Sequence, residues 1–207
     1  MNCTSMRLAL IPLCVFTGLK TLAAGSDSVI VRSDTIIVND CGQRSFSGKV
    51  PPGNYSGIAN IGNNRYAVVS DKSETDGFFV FKIDVDTVSG KIVDVENEGF
   101  RSAGTINRDG EGIAYFVPAS TVFICGEADN RIYEYSLDGL RTGREIAVPK
   151  VFALSSANYG LESLTYNAVT HRFWTTTEST LPVDGEQATS VNGVRNRLRL
   201  QSFDDDL

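Results

Sequence analysis

Glu111-Gly-Ile-Ala-Tyr115 runs through Val122-Phe-Ile-Cys-Gly126 to Glu127, and Glu162-Ser-Leu-Thr-Tyr166 runs through Phe173-Trp-Thr-Thr-Thr177 to Glu178. Glutamate follows glutamate after sixteen residues in both stretches. Upstream, Ser56-Gly-Ile-Ala59 leads through Tyr66-Ala-Val-Val-Ser70 to Asp71, a spacing of fifteen, with a hydroxyl in place of the first carboxylate. The three copies recur after fifty-five and fifty-one residues. Self-similarity at that period is the mark of propeller blades or solenoid units.

The repeat parses into strands. The middle copy gives Glu111 to Phe116, Thr121 to Gly126, Arg131 to Leu137 and Arg144 to Val148, and the first gives Ser56 to Asn60, Arg65 to Ser70, Gly77 to Asp84 and Lys91 to Glu96. Runs such as Phe78-Phe-Val-Phe-Lys-Ile-Asp-Val85 have strand composition and end in turn chemistry such as Asp138-Gly139. Four antiparallel strands per fifty residues is the arithmetic of a β-propeller blade, so the fold class is all-β. The third copy supplies Glu162 to Asn167, His171 to Thr177 and Arg195 to Phe203, with no fourth strand. About three and a half blades form an incomplete ring, and the expectation is an N-terminal piece of a longer protein, with Ser28 to Lys49 completing a blade.

Residues 1–24 read as a secretory leader: Arg7 precedes the apolar run Leu8-Ala-Leu-Ile-Pro-Leu-Cys-Val-Phe16, and Thr21-Leu-Ala-Ala24 offers small residues for cleavage. The run is too short for a membrane anchor. Residues 25–207 are then the exported propeller domain, periplasmic or secreted. Loss of Arg7 and Lys20 takes the formal charge from -6 to -8, which disfavours nucleic acid and anionic membranes as partners. Phosphate would be repelled too, unless a cation intervened. Of the cysteines beyond the leader, Cys41 and Cys125 could pair in an oxidising compartment, or Cys125 could be a small core residue in its strand.

In a propeller the first strand lines the channel and the second returns beside it, so the start of one meets the end of the other. Glu111 and Glu127 are then neighbours, as are Glu162 and Glu178, with Ser56 beside Asp71, all toward one mouth. His171, the lone histidine, falls in the far turn. Crowded carboxylates must take up protons or bind a cation. Hard oxygen ligands without thiolate or imidazole select calcium or magnesium, and calcium suits an exported protein. The alternative is that each glutamate caps its hairpin.

These same motifs, Glu-Gly-Ile-Ala-Tyr, then Gly126-Glu-Ala-Asp-Asn-Arg-Ile-Tyr-Glu-Tyr135, Gly160-Leu-Glu-Ser-Leu-Thr-Tyr-Asn167 and Phe173-Trp-Thr-Thr-Thr-Glu-Ser179, resemble the phytase-like domain proteins over about residues 55–203. These are also described as having esterase-like activity of phytase. The resemblance implies an exported propeller and calcium-assisted hydrolysis of a small phosphoester or other ester. Carried across by position, Asp71, Glu111, Glu127, Glu162 and Glu178 are the channel acids and metal ligands, and Ser56 departs from the pattern. Glu111 or Glu162 is the candidate general base, and Lys72 and Arg131 are candidates for contact with substrate oxygens.

Serine-hydrolase chemistry is excluded by the single, distant histidine and the missing nucleophile elbow. Ser163 is expected to pack, Trp174 to lie in the core, and Asp204 to Asp206 to form a solvated turn. Two rival functions stand beside the hydrolase: a non-catalytic propeller that binds a ligand or protein with structural calcium, and an inactive truncated product.

Overall fold

The computed structural model describes residues 44–155 and 158–207. The leader, Cys41 and the runs at 29–31 and 35–38 lie outside the described residues, as do positions 156 and 157. The chain divides into two units, the larger comprising Phe46–Asp84 and Asp94–Leu207. Of the smaller, Val85–Val93 is a turn in which the Asp86 carboxylate accepts the N–H groups of Val88 and Ser89.

The larger unit is a series of antiparallel meanders. The first sheet holds β1 (Tyr55–Gly62), β2 (Arg65–Ser70), β3 (Thr75–Val85) and β4 (Ile92–Ile106) in that order. The second holds β5 (Gly110–Phe116), β6 (Thr121–Gly126), β7 (Arg131–Tyr135) and β8 (Arg141–Ile146), and the third β9 (Leu161–Asn167), β10 (Arg172–Thr177) and β11 (Leu200–Asp204). First strands lie side by side, β1 against β5 and β5 against β9. This is the arrangement of successive propeller blades, and among the described residues the three sheets do not close a ring.

Burial explains the sequence pattern. In β6 the side chains of Val122 and Ile124 join Ala67, Val69, Phe78 and Val80 of the first sheet. Phe123 and Cys125, on the other face, join Leu161, Leu164 and Phe173 of the third. A strand covered on both faces reads as an unbroken apolar run, which is why Val-Phe-Ile-Cys shows no alternation. Full burial of one such side chain contributes about 1.5–3 kcal/mol. Phe116, Phe123, Tyr166 and Phe173 interlock across the second interface with ring centroids 4.7–5.7 Å apart.

Three strands depart from expectation by more than two residues at one end. β4 runs on to Ile106 through Asn97-Glu-Gly99, where polar residues mask an outer strand. β8 begins earlier, at Arg141, because the Ser136–Leu140 turn closes tightly: Ser136 N–H donates to Leu140 and Gly139 N–H to Ser136. β11 starts only at Leu200, because the preceding residues serve a loop in which Arg197 N–H donates to Thr180 and Arg199 pairs with Asp184.

Candidate carboxylate site at the mouth of the sheets

Strand register creates the site. Tyr55 faces Ser70, Gly110 faces Gly126, and Leu161 faces Thr177, so the residue that follows each second strand returns to the start of each first strand. One main-chain hydrogen bond recurs at each return. Asp71 N–H donates to the Asn54 carbonyl (3.1 Å), Glu127 N–H to Asp109 (2.8 Å), and Glu178 N–H to Gly160 (3.1 Å). In each case the accepting residue lies two positions before Ser56, Glu111 or Glu162. The paired positions predicted from spacing are therefore held by backbone at equivalent places.

Close approach of the first strands brings neighbouring sheets' acids together. A Cβ on Gly57 would lie 2.7 Å from the Glu111 carbonyl oxygen, and one on Gly112 would lie 2.3 Å from Leu164 N. Only glycine permits such contact between main chains. Glu111, 9% exposed, is hydrogen-bonded to Ser56 of the preceding sheet.

Carboxylate oxygens of Glu127, Glu162 and Glu178 all lie within 4.8 Å of one another. Glu111 and Asp71 are not members of that triad, but their charges reach it. Burial pushes the Glu111 carboxyl above its usual range against the Ser56 hydrogen bond, aided by Asp71, Glu127 and Asp109. Burial likewise raises Glu127, opposed by the Gly160 N–H and aided by Glu178 and Asp109. Glu162 is pushed up to about 7 by desolvation and then by the charges of Glu111, Glu178, Glu127 and Asp71, although its side chain reaches solvent.

The donor set fits a hard divalent cation. Two oxygens on opposite sides of a calcium ion lie about 4.8 Å apart at ligand distances near 2.4 Å, and no soft donor intrudes. Asp71 Oδ1 is buried without a hydrogen-bond partner. Its other oxygen holds Lys72 Nζ at 2.9 Å.

Asp109 is the acid that spacing missed. It stands 3.5 Å from Lys72 Nζ, and it acts electrostatically on Glu111 and Glu127. Its signal was its position, two residues before Glu111 and aligned with Asn54 and Gly160.

Other expectations sort cleanly. Lys72 stays at the mouth, bridging Asp71 and Asp109. Arg131 does not: it pairs with Glu145 of β8 and lies over the Tyr133 ring. His171 occupies the far turn, its Nδ1 3.1 Å from Asp205 Oδ2. Ser163 is exposed rather than packed. Trp174, the counterpart of Phe123, is half-buried because among the described residues no further sheet covers its face, while Phe173, the counterpart of Val122, packs on the preceding sheet. Of the terminal acids, Asp204 and Asp206 are exposed as expected, although Asp204 ends β11 and pairs with Arg172, while Asp205 is half-buried and accepts the Tyr166 hydroxyl. Cys125 is a free, buried thiol that accepts the Gly112 N–H (3.2 Å) and faces the Leu161 carbonyl (3.8 Å).

Among solved structures, the WD40 β-propeller domain of Doa1 is similar at a TM-score of 0.38 and 11% identity, over 64% of this chain. The chain spans 40% of that structure's length. No protein of curated function matches it. Residues 50–206 match the family described as phytase-like, esterase-like activity of phytase, and that span contains all three sheets and every acid of the mouth. The chain belongs to the phytase-like family.

Proposed function

We propose that the carboxylate mouth binds calcium and hydrolyses a small phosphate or other ester outside the cytoplasm. The observation that carries this reading is the triad Glu127, Glu162 and Glu178, drawn from two adjacent sheets with their oxygens within 4.8 Å of one another. Such crowding of like charge costs free energy unless protons or a cation neutralise it, and groups perturbed in this way cluster at functional sites. Export rests on the leader at residues 1–24.

Glu127, Glu178 and Glu111 would hold the ion, with Asp71 Oδ1 as a further donor. Calcium, when bound, supplies positive charge that offsets and polarises an anionic ester. Glu162 is the general base: the ion would offset the neighbouring charges that help hold its carboxyl up at about 7, so that it is ionised at neutral pH and able to take a proton from an attacking water. Lys72, bridging Asp71 and Asp109 and largely exposed, is the cation we assign to contact with a substrate oxygen.

Hydrolysis of p-nitrophenyl phosphate and p-nitrophenyl acetate, with calcium and with a chelator, tests the proposal on the wild type and on Glu162→Gln and Glu111→Gln. Activity that needs calcium and is lost with Glu162→Gln supports it. Activity surviving both substitutions overturns the site assignment.

A second reading has its own observation. Glu127 Oε1 already accepts the Gly160 N–H at 3.1 Å, as a hairpin cap would. In that reading the mouth is a structural calcium site of a non-catalytic binding propeller. Thermal stability would then rise with calcium while no ester is cleaved.

A further inference from the structure

Arg108 lies between the end of β4 at Ile106 and the start of β5 at Gly110, and it is 7% exposed. Its guanidinium is fully engaged. Nε donates to Asp76 Oδ2 (3.2 Å), and Nη1 to both Asp129 carboxylate oxygens (2.9 and 3.1 Å) and to the Arg131 carbonyl (3.3 Å). Nη2 donates to the Ile124 carbonyl (3.3 Å) and the Tyr135 hydroxyl (3.1 Å). Asp76, 2% exposed, also accepts the Tyr135 hydroxyl (2.5 Å) and Arg141 Nη2 (2.6 Å). The network thus joins a carboxylate of the first sheet to one in the β6–β7 turn of the second.

Stability alone is a poor explanation for so many buried charges. Apolar residues of matching shape are often as good or better, because desolvation consumes most of the Coulombic gain. The positions on either side of Arg108 supply another reason. Asn107 Nδ2 donates to the Asp71 carbonyl at 2.6 Å. The Arg108 carbonyl accepts the Ala128 N–H (3.1 Å), and the Asp109 carbonyl accepts the Glu127 N–H (2.8 Å). Asp109 itself is held at φ 52°, a left-handed conformation that a non-glycine residue adopts rarely. A three-residue brace therefore grips the main chain behind two mouth acids, one from each sheet, and the guanidinium fastens the brace to the protein.

We propose that Arg108 is a positioning residue that fixes the Asp71 and Glu127 main chains relative to each other and so sets the affinity of the mouth for a divalent cation. The inference rests on the reading of the mouth as a cation site. Residues that orient metal ligands in this way typically alter affinity 10- to 100-fold when changed.

The test is a calcium titration by calorimetry of the full chain, with thermal unfolding in chelator run in parallel. Arg108→Lys keeps the charge but cannot span Asp76 and Asp129 with a planar fork. Asn107→Ala removes only the bond to Asp71, and it decides the question if Arg108→Lys does not fold. Arg144→Lys is the control: Arg144 pairs with buried Glu134, whose other partners Thr121 and Thr142 lie away from the mouth. The expected result is about 10-fold weaker calcium binding in Arg108→Lys and Asn107→Ala, with wild-type affinity in Arg144→Lys despite a comparable loss of Tm. Wild-type affinity in the first two, or an equal loss in the control, overturns the role of Arg108 and leaves the cation site standing. A wild-type chain that takes up no calcium overturns both.

Discussion

Gly160 donates its backbone N–H to Glu127 Oε1 at 3.1 Å, while its carbonyl receives the N–H of Glu178. One residue of the third sheet therefore touches the acid of its own hairpin and the acid of the sheet before it.

Space at Gly160 is already filled. A Cβ there would lie 2.6 Å from Asn130 Oδ1 and 2.7 Å from the Glu127 carbonyl oxygen. Gly160→Ala is expected to destabilise the chain by about 1–3 kcal/mol through overpacking. It should also weaken calcium binding, because Glu127 and Glu178 must separate. Urea unfolding and calcium titration read the two effects.

The mouth should give stability a pH dependence opposite to that of ordinary ion-paired carboxylates. Glu162 moves from about 4.3 in an unfolded chain to about 7 when folded, and Glu111 and Glu127 shift in the same direction. The folded state therefore holds extra protons. Their contribution is fully present below the unfolded value and is lost as pH rises through the folded one. In chelator, Tm should fall between pH 5 and 7.5. Calcium binding at pH 6 should release protons, which calorimetry in buffers of different ionisation enthalpy detects.

Glu162→Gln should separate function from stability. The amide removes a repelling charge without changing shape, so the cation-free protein should be more stable at pH 7.5 than the wild type. Its calcium affinity should fall about 10-fold, since one of the three negative charges crowded within 4.8 Å around the ion's place is gone. Thermal unfolding in chelator and in calcium should show the two curves crossing.

Burial pushes the Cys125 thiol up to about 12, and the sulfur sits between two sheets. It should resist a disulfide reagent in the folded protein and react at the rate of a free thiol in guanidinium. Reaction in the native state at a surface rate would contradict the packing between β5 and β9.

The inner strands and their pairing were legible because two signals coincided: a recurring acid at fixed spacing and apolar runs of strand length. Arg65–Ser70 and Thr121–Gly126 were read to the residue. The outer strands were less so. β4 carries Glu96 and Asn97 exposed and Glu98 and Arg101 half-buried on an outer strand, where burial imposes too weak a pattern for periodicity to detect. The mouth was readable as a set of acids but not as a geometry. Spacing could say that Glu111 and Glu162 open their hairpins, yet only the close contact at Gly57 and Gly112 decides how near successive sheets stand. Asp109 occupies a recurring position, but its counterparts Asn54 and Gly160 carry no acid, so no repeated carboxylate draws attention to it, and nothing in the repeat shows that Arg131 turns to Glu145 while Lys72 stays with the acids.

The carbonyls of Asn54, Asp109 and Gly160 hold the mouth by its peptide groups, and peptide groups are blind to the side chains they carry. Ser56 stands where its counterparts are glutamates, yet its hairpin closes on the same bond. The rim thus behaves as a mount with interchangeable heads. Its charge, ion preference and reactivity can drift through single substitutions while the hairpins beneath stay as they are, so one frame of this kind can outlast several chemistries.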